Sequence, residues 1–319
     1  MTKTIAITGA TGFTGGAIAR YFHVKGWRIL AFGRRENPNL PHDIHYRQWD
    51  IASGTIAMPE PIDVVVHAAA RVDDSGKYDD FMRVNVQGTQ NVLDTFRKAY
   101  QFIHISSSSV YDPFAEKIRV TEDFSYGIHY LNAYSETKML AEKIIINDNR
   151  TNKVILRPRA IYGEGDTTLL PRLLRLHKGR FMLGIGDGNN EISITYICNF
   201  CHAVERVTQH DFDCEIFNIT DTETLTQREL LAKLAELMAW DCKPLFMPRQ
   251  VPESIAKTGQ FLGNHLGFRP QLSPYAVHQL ADTFTLDMSK AQQLLDYQPP
   301  YTQADGFAAI QDGLKKSGK

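Results

Sequence analysis

The first half of the chain alternates short apolar runs with amphipathic segments of helical periodicity. Runs rich in Val and Ile predict strands of a parallel sheet that is covered on both faces. The predicted strands are TIAIT (4–8), RILAFG (28–33), IHYRQW (44–49), IDVVVHAAA (62–70), QFIHIS (101–106) and KVILR (153–157). Helices are predicted from about Phe13, along residues 79–99, and at the segment that contains Tyr134. This alternation indicates a doubly wound α/β fold.

After Pro158 the alternation loosens, and the elements are harder to assign. The strand-like runs ISITYI (192–197) and EIFNIT (215–220) are expected to return to the first sheet. Loop markers are expected at Pro248, Pro252, Gly259 and Gly263. The second half is therefore not expected to form one contiguous domain.

Composition excludes several classes of protein. The 35 Lys and Arg residues nearly balance the 36 Asp and Glu residues, so no basic field for nucleic acid is present. No apolar run approaches the length of a membrane-spanning helix, and no signal-peptide pattern begins the chain. Four cysteines are too few for a secreted disulfide scaffold. A cytoplasmic protein without a metal site is expected.

A glycine-rich segment, TGATGFTG (8–15), directly follows the first predicted strand and opens the first helix. Gly9 permits a tight turn, Gly12 lets the backbone approach a pyrophosphate, and Gly15 allows the helix to pack closely on the strand. The helix amino terminus then presents its partial positive charge to phosphate. In this context the segment predicts a dinucleotide-binding loop.

The residues after the second strand bear on the choice of cofactor. In NAD-binding proteins an acidic side chain at this place accepts hydrogen bonds from the ribose. Here Gly33 stands at that place and is followed by Arg34 and Arg35. A guanidinium group can hold a 2′-phosphate, so NADP is predicted, with NAD as the alternative. Two arginines that only face solvent would give the same pattern.

The segment YSETK places Tyr134 four residues before Lys138. Residues at this spacing share one helix face, so both side chains can point into one cleft. A fixed cation beside a phenol favours the phenolate and lowers its pKa, which is useful in proton transfer. The spacing alone is often an accident and needs support from other residues.

That support comes from a series of motifs along nearly the whole chain. They are TGATGFTG, WDI, VVHAAA, VNVQGTQNVL, HISSSSVY, YSETK, LRPRAIYGEGD and DMSKAQQLLDYQP. In this order they resemble the extended short-chain dehydrogenases/reductases, a family that includes UDP-galactose 4-epimerase and the 3β-hydroxysteroid dehydrogenases. The resemblance implies a Rossmann fold, a catalytic and dinucleotide-binding domain over 1–165 with strands near 191–220 returning to it, and a smaller, discontinuous substrate domain mainly in 166–319.

The resemblance also implies roles for individual residues. Tyr134 would be the general acid/base, Lys138 the cation that lowers its pKa and binds the nicotinamide ribose, and Ser107 the hydroxyl that bonds the substrate oxygen. Asn85 would support the active-site helix, although an ordinary polar helix residue satisfied by backbone is an equal alternative. Asp112 stands where the family has glycine, which leaves the shape of that loop open. The implied cofactor-binding set is Gly9, Thr11, Gly12, Phe13, Thr14, Gly15, Arg34, Arg35, Asp50, Ile51, Ala68, Ala69, Tyr134 and Lys138.

The expected class of substrate follows from two polar residues that nucleotide-sugar enzymes of the family have and this chain lacks. Nucleotide-sugar enzymes of the family carry an asparagine and an arginine where this chain has Ala160 and Ile192. The segments around them are similar to the branch of 3β-hydroxysteroid dehydrogenases, sterol 4α-carboxylate dehydrogenases and 2-alkyl-3-oxoacid reductases.

We therefore expect an NADP(H)-dependent oxidoreductase that acts on an apolar ketone or secondary alcohol. The expected pocket is lined by residues such as Val72, Phe114, Tyr162 and Leu170. A nucleotide-sugar epimerase and a non-catalytic NADP-sensing regulator are the alternatives. The expected partners are a small-molecule substrate and, as an option, a second copy of the chain in a homodimer.

Overall fold

A computed structural model describes residues 2–36, 38–266 and 272–316. Its first part alternates strands and helices, as the hydrophobic pattern predicts. The elements are β1 (Thr4–Thr8), α1 (Phe13–Val24), β2 (Arg28–Gly33), β3 (His45–Gln48), β4 (Val64–His67), α2 (Tyr78–Phe81), α3 (Gly88–Thr95), β5 (Gln101–Ile105), β6 (Lys117–Val120), α4 (Ala133–Asn147), β7 (Lys153–Pro158) and β8 (Ile161–Tyr162).

The second part contains shorter strands and more helices. The elements are α5 (Leu169–Leu174), β9 (His177–Lys178), β10 (Phe181–Ile185), β11 (Glu191–Ser193), β12 (Thr195–Tyr196), α6 (Ile197–Val207), β13 (Cys214–Ile219), β14 (Thr224–Thr226), α7 (Gln227–Leu237), β15 (Lys243–Met247), α8 (Gln250–Leu266), α9 (Pro274–Ala281), β16 (Phe284–Leu286), α10 (Ser289–Leu295) and α11 (Gln303–Lys316). Among the described helices, none has the length and apolar character needed to cross a bilayer.

Seven parallel strands form the central sheet, in the order β13-β7-β5-β4-β1-β2-β3. Both faces of this sheet are buried: Ile5 and Ile7 of β1 join one apolar cluster, while Ala6 between them joins another cluster on the opposite face. Strands buried on both sides need apolar residues at successive positions, which explains their unbroken hydrophobic runs. The predicted doubly wound Rossmann arrangement is confirmed.

The two strand-like runs of the second half do not behave alike. EIFNIT lies almost entirely in β13, which pairs with β7 over six residues at the edge of the central sheet. ISITYI does not join that sheet, so this expectation is wrong. It splits into β11, which lies in a separate four-stranded sheet with the order β14-β11-β16-β6, and β12, which pairs with β8. Hydrophobic pattern identifies a strand but not its neighbours, and β13 already covers the free edge of β7.

The structure also differs from two predictions, one about a helix and one about loops. The segment 79–99 is not one regular helix, because a π-helical turn at Met82–Gln87 separates α2 from α3. Pro252, Gly259 and Gly263 do not mark loops, because all three lie within α8. Pro252 is in the first turn of α8, where a missing backbone N–H removes no intrahelical hydrogen bond. Pro248 precedes that helix, outside any element.

Candidate active site

A cavity of about 800 Å³ opens at the carboxyl ends of the central strands. This is where ligands bind in open parallel sheets. One wall comes from the segments that follow β1, β4 and β5, and it includes Phe13, Thr14, Ala68 and Ser107. The opposite wall comes from α5, β9–β11 and α9, which belong to the second part of the chain. The cavity therefore has room for a cofactor on one side and a substrate on the other.

The glycine loop fits the pyrophosphate of a dinucleotide. Gly9 has a φ of +72°, and a Cβ there would lie 2.7 Å from the backbone nitrogen of Ala69. A Cβ on Gly15 would lie 2.4 Å from the carbonyl oxygen of Gly9. Gly12 begins α1 and supplies no capping side chain, so the first amides of this helix stay available to an anion. The tight turn at Gly9 and the close packing at Gly15 agree with this geometry, while the approach of Gly12 to a pyrophosphate stays a prediction.

The side chain of Thr11 leaves no room for a side chain at position 33, which is occupied by glycine. A Cβ on Gly33 would lie 2.7 Å from both Oγ1 and Cγ2 of Thr11. Arg34 and Arg35 follow directly and are exposed. Their backbone carbonyls are held by Gln48 and Tyr46, while neither guanidinium forms an ion pair within residues 2–36, 38–266 and 272–316. Both side chains are therefore available to a ligand at this edge of the sheet.

The remaining predicted cofactor residues follow β3 and β4. Asp50 is partly buried, and its Oδ1 accepts a hydrogen bond from the amide of Ala52 at 3.0 Å. Ile51 is buried beneath α3, where Asn91 donates to its carbonyl oxygen at 2.7 Å. Ala68 lines the cavity. Ala69 donates its amide to Thr8, which fixes the chain as it leaves β4.

Tyr134 and Ser107 meet in the cavity. Asn132 caps α4 by accepting a hydrogen bond from the amide of Ser135, which places Tyr134 in the first turn of the helix. The Ser107 hydroxyl lies close enough to the phenol of Tyr134 to lower its pKa. Ser106 does not take this place, because it donates to Glu142. The position counted from the sequence, Ser107, is therefore the serine that lies against Tyr134.

The pKa of Tyr134 is raised, not lowered as predicted. Burial disfavours the phenolate, and the hydroxyl of Ser107 and the charge of Arg172 only partly oppose this effect. Lys138 is not among the groups that lower the pKa of Tyr134. Its Nζ donates to the carbonyl oxygen of Ile105 and to Nε2 of His104, the latter at 3.1 Å. Burial also lowers the pKa of Lys138, to about 7, which weakens it as a permanent cation at neutral pH.

We expect Ser107→Ala to change the pH dependence of catalysis. Ser107 favours the phenolate, so its removal should raise the pKa of Tyr134 further. Oxidation of an alcohol needs the phenolate, and its rate should therefore reach half-maximum at a higher pH than in the wild type. The pH profile of alcohol oxidation, followed by nicotinamide absorbance, measures this shift. Ser108→Ala is the control, and an equal shift in both variants would contradict the role of Ser107.

Asn85 does not reach the reacting side chains. Its Oδ1 accepts the amide of Arg71 at 2.7 Å, and its Nδ2 donates to the Arg71 carbonyl and to Thr137 of α4 at 3.2 and 3.0 Å. The two roles that the sequence left open for Asn85 are thus both present. The backbone of Arg71 satisfies its side-chain amide, and the bond to Thr137 connects it to α4, the helix that carries Tyr134. Asn85 lies in the π-helical turn, and its contacts are those of a positioning residue; its place in the catalytic set stays a prediction.

The substrate side of the cavity differs from the expected lining. Val72 lies in the wall, but Phe114, Tyr162 and Leu170 do not. Phe114 is exposed and contacts His278, and Tyr162 is buried beside Tyr196. The apolar wall is made instead by a set of aliphatic side chains from distant segments: Ile105, Ile161, Leu169, Leu173, Leu176, Leu183, Ile192, Ile194, Leu230, Leu272 and Leu280.

Sequence reasoning also missed charged residues around the cavity. Arg157 of β7 and Glu142 of α4 form a buried ion pair, with Nη2 and Oε2 2.6 Å apart. This pair fixes α4, and with it Tyr134, against the sheet. Arg172 of α5 pairs with Asp74 at 2.9 Å in the cavity wall. No sequence motif identifies these residues, because the two members of each pair are distant in the chain and come together only in the folded structure.

Asp112 does not disturb the loop after β5. No positive φ occurs at this residue, so the glycine expected there is not required. The side chain of Asp112 accepts the amide of Phe114 at 2.9 Å, which forms a local turn.

Comparison with known proteins identifies related chains. The model of the NAD dependent epimerase/dehydratase family matches residues 5–220. The chain is 28% identical over 336 residues to the 2-alkyl-3-oxoalkanoate reductase of Stenotrophomonas maltophilia (strain K279a), covering 98% of this chain and 97% of that protein. It is 30% identical over 277 residues to isoform 2 of the 3beta-hydroxysteroid-dehydrogenase/decarboxylase of Arabidopsis thaliana, covering 80% of this chain and 48% of that protein.

Solved structures share the fold. The UDP-glucuronic acid 4-epimerase from Bacillus cereus, solved in complex with NAD, superposes with a TM-score of 0.74 and 23% identity. The match covers 99% of this chain and 100% of that chain. At this identity the likeness establishes the arrangement of the sheet and helices and leaves the substrate open.

Proposed function

The chain belongs to the NAD dependent epimerase/dehydratase family, and we propose that it interconverts a ketone and a secondary alcohol on a largely apolar substrate. The contact between Tyr134 and Ser107 at the wall of an aliphatic cavity carries this proposal. The family comprises NAD(P)-dependent oxidoreductases, so the cofactor class is established and the substrate is the open question.

The residues divide the chemistry between them. A bound nicotinamide cofactor supplies hydride to the carbonyl carbon, or accepts it in the reverse direction. Ser107 donates a hydrogen bond to the substrate oxygen and orients it. Tyr134 gives its proton to that oxygen during reduction and takes it back during oxidation. Since burial raises the pKa of Tyr134, the phenol is protonated at neutral pH and is prepared to act as the acid.

An apolar substrate suits the second wall of the cavity. Eleven aliphatic side chains line the cavity, most of them on this wall, and they would bury an alkyl chain or a fused-ring skeleton. Ala160 and Ile192, where nucleotide-sugar enzymes carry polar residues, both line the cavity. Two relatives with a similar overall sequence are named for 2-alkyl-3-oxoalkanoate reduction and for 3beta-hydroxysteroid dehydrogenation. Sterol-like and 3-oxoacid-like substrates are therefore the candidates.

A substrate panel tests this proposal. Sterol ketones, 3-oxoacids and UDP-hexoses would be incubated with the protein and NADPH, and the secondary alcohols with NADP⁺, while the nicotinamide absorbance is recorded. Turnover of an apolar ketone or alcohol is the expected result. Conversion of a UDP-hexose without net redox, by protein that retains NAD, would identify a nucleotide-sugar epimerase instead. Cofactor binding without turnover of any member would support a regulator.

We further propose that NADP(H) is the preferred cofactor. Gly33 offers no carboxylate to a ribose diol, and Thr11 fills the space that such a side chain would need. The exposed guanidinium of Arg34 or Arg35 can make charge-assisted hydrogen bonds to a 2′-phosphate. Bonds of this type contribute about 1.5 to 3 kcal/mol each.

We expect Arg34→Ala to weaken NADPH binding by about tenfold or more and to leave NADH binding nearly unchanged. Titration of both cofactors by fluorescence, at low and high salt, measures this effect. Arg47→Ala is the matched control, because Arg47 lies at the same sheet edge and bonds the carbonyl of Ala57. Equal affinities for NADPH and NADH in the wild type would show that the arginines only face solvent. Substitution of Gly33 is unsuitable, because a side chain there collides with Thr11.

A further inference from the structure

Arg159 is a buried cation in the wall of the cavity. It follows β7 and is only 4% exposed, yet it lines the space between the two parts of the chain. Its Nε donates to the carbonyl oxygen of Phe284 at 3.0 Å, and its Nη1 donates to Oε1 of Gln279 at 2.7 Å. The guanidinium also stacks on the ring of Phe284, 4.0 Å from its centroid. Each of these contacts is with a neutral group.

No acidic side chain neutralises Arg159 within residues 2–36, 38–266 and 272–316. The carboxylate whose charge raises the pKa of Arg159 is Asp282, which is already engaged by Arg249 at 2.5 Å and by His278 at 2.9 Å. Lys117 lies close enough to add a second positive charge to its surroundings. Burial lowers the pKa of Arg159 to about 10, which still leaves it protonated at neutral pH.

Such an arrangement is costly for stability unless something neutralises the charge. An isolated buried ion is disfavoured by several kcal/mol relative to water, and proteins normally pair it. The contrast with Arg172 is direct, because Arg172 lines the same cavity but holds Asp74 as its counterion. An unpaired cation kept in a cavity wall indicates that an anion arrives with the ligand.

Other polar groups line the cavity with Arg159. The hydrogen bonds of Arg159 are made by Nε and Nη1. In the described part of the chain the buried Oγ of Ser109 has no partner. Arg159, Ser109 and the partly buried Tyr275 all line the same cavity. The phenol of Tyr275 interacts electrostatically with both Arg159 and Tyr134, so it lies near the cation and near the proposed proton donor.

We propose that Arg159, with Ser109 and Tyr275, forms a subsite for a carboxylate carried by the substrate. This inference rests on the proposed function and narrows it to apolar ketones and alcohols that bear a carboxylate near the reacting carbon. One guanidinium matches one negative charge, which favours a carboxylate over a phosphate dianion. Ser107 precedes Ser109 by two residues, so the oxygen-binding and anion-binding hydroxyls come from one turn of chain.

Binding can be measured without turnover. A 3-hydroxyacid cannot react when NADPH is the bound cofactor, so calorimetric titration of the NADPH complex reports affinity alone. The probes are 3-hydroxyacids of short, medium and long chain, their methyl esters, and alkyl phosphates of matched length. The wild type should bind an acid about tenfold or more tightly than its ester, the scale of one charge-assisted hydrogen bond. No preference at any chain length, or a preference for the phosphate, would refute the carboxylate subsite.

Two variants attribute the preference to Arg159. Arg159→Met removes the charge and should bring acid and ester to equal affinity. Gln279→Glu keeps the acceptor 2.7 Å from Nη1 but gives Arg159 an internal counterion, so it should also abolish the preference while leaving the arginine in place. The second variant remains informative if the first does not fold. Arg172→Met is the control, and loss of the preference there alone would move the subsite to Arg172.

Turnover of the same acids with NADP⁺ separates the two proposals. If the acids bind more tightly than their esters in a way that depends on Arg159, but are not oxidised, the carboxylate subsite is supported and the proposed redox function on these substrates is refuted. Oxidation of acid and ester with equal KM would retain the redox function and remove the subsite.

Discussion

Replacing Tyr134 by Phe is expected to lower kcat by at least about 100-fold, the usual scale of general acid/base catalysis. The substitution removes only the hydroxyl group that lies close to Ser107, and the ring stays in the first turn of α4. Cofactor affinity should persist, because the glycine loop and the amides of α1 are untouched. Steady-state kinetics together with NADPH titration of the variant would separate loss of chemistry from loss of binding.

A matched control exists four residues earlier in the chain. The phenol of Tyr130 donates to the carbonyl of Val110 at 2.7 Å and accepts the amide of Gly127 at 3.0 Å, outside the large cavity. Tyr130→Phe should reduce stability by about 1 kcal/mol and leave kcat nearly unchanged. Near-normal turnover in Tyr134→Phe would mean that another group supplies the proton and that the interpretation of YSETK is wrong.

Glu142→Ala is expected to lower the free energy of unfolding by about 3 to 5 kcal/mol, because it leaves Arg157 as an unpaired buried cation. Both side chains are almost fully buried. Glu142 also accepts hydrogen bonds from Ser106 and Tyr126, so the deletion leaves several donors without an acceptor. Denaturant unfolding measures the change. Because the pair fixes α4 against β7, kcat of the folded fraction should fall as well.

Removing both charges tests whether the unpaired cation causes the loss. The double variant Glu142→Leu with Arg157→Leu should recover much of the stability, since paired apolar replacements of buried ion pairs are often tolerated. The exposed pair Arg97–Asp94 provides the control, and Asp94→Ala should change stability by less than about 1 kcal/mol. A small effect of Glu142→Ala would show that water or a rearranged side chain neutralises Arg157.

Features that depend on neighbouring residues could be predicted from the sequence. The glycine loop requires particular backbone angles and close approaches within a few residues, so Gly9, Gly12 and Gly15 identify themselves by spacing. The strands of the first half could be located because both faces of each are buried. Tyr134 and Ser107 could be named because their motifs fix each of them relative to a nearby strand or helix end.

Features that depend on contacts between distant segments of the chain could not be predicted from the sequence. The pKa of Tyr134 shifts in the direction opposite to the prediction, because the burial of its phenol is a property of the packed cavity. Phe114, Tyr162 and Leu170 were expected in the substrate wall, but the fold places all three elsewhere. The path of ISITYI was decided by competition for one sheet edge.

The sequence by itself determined the fold class and the family, since these follow from local periodicity and from spacing within short motifs. Only the tertiary structure decided which cations have counterions. Arg157 lies in β7 and Arg159 directly follows that strand, so the two arginines are two residues apart and look equivalent in the sequence. The fold gives Arg157 the carboxylate of Glu142 and gives Arg159 only neutral partners and an open cavity. Charge pairing depends on distances between segments that are far apart along the chain, which periodicity and local spacing do not contain.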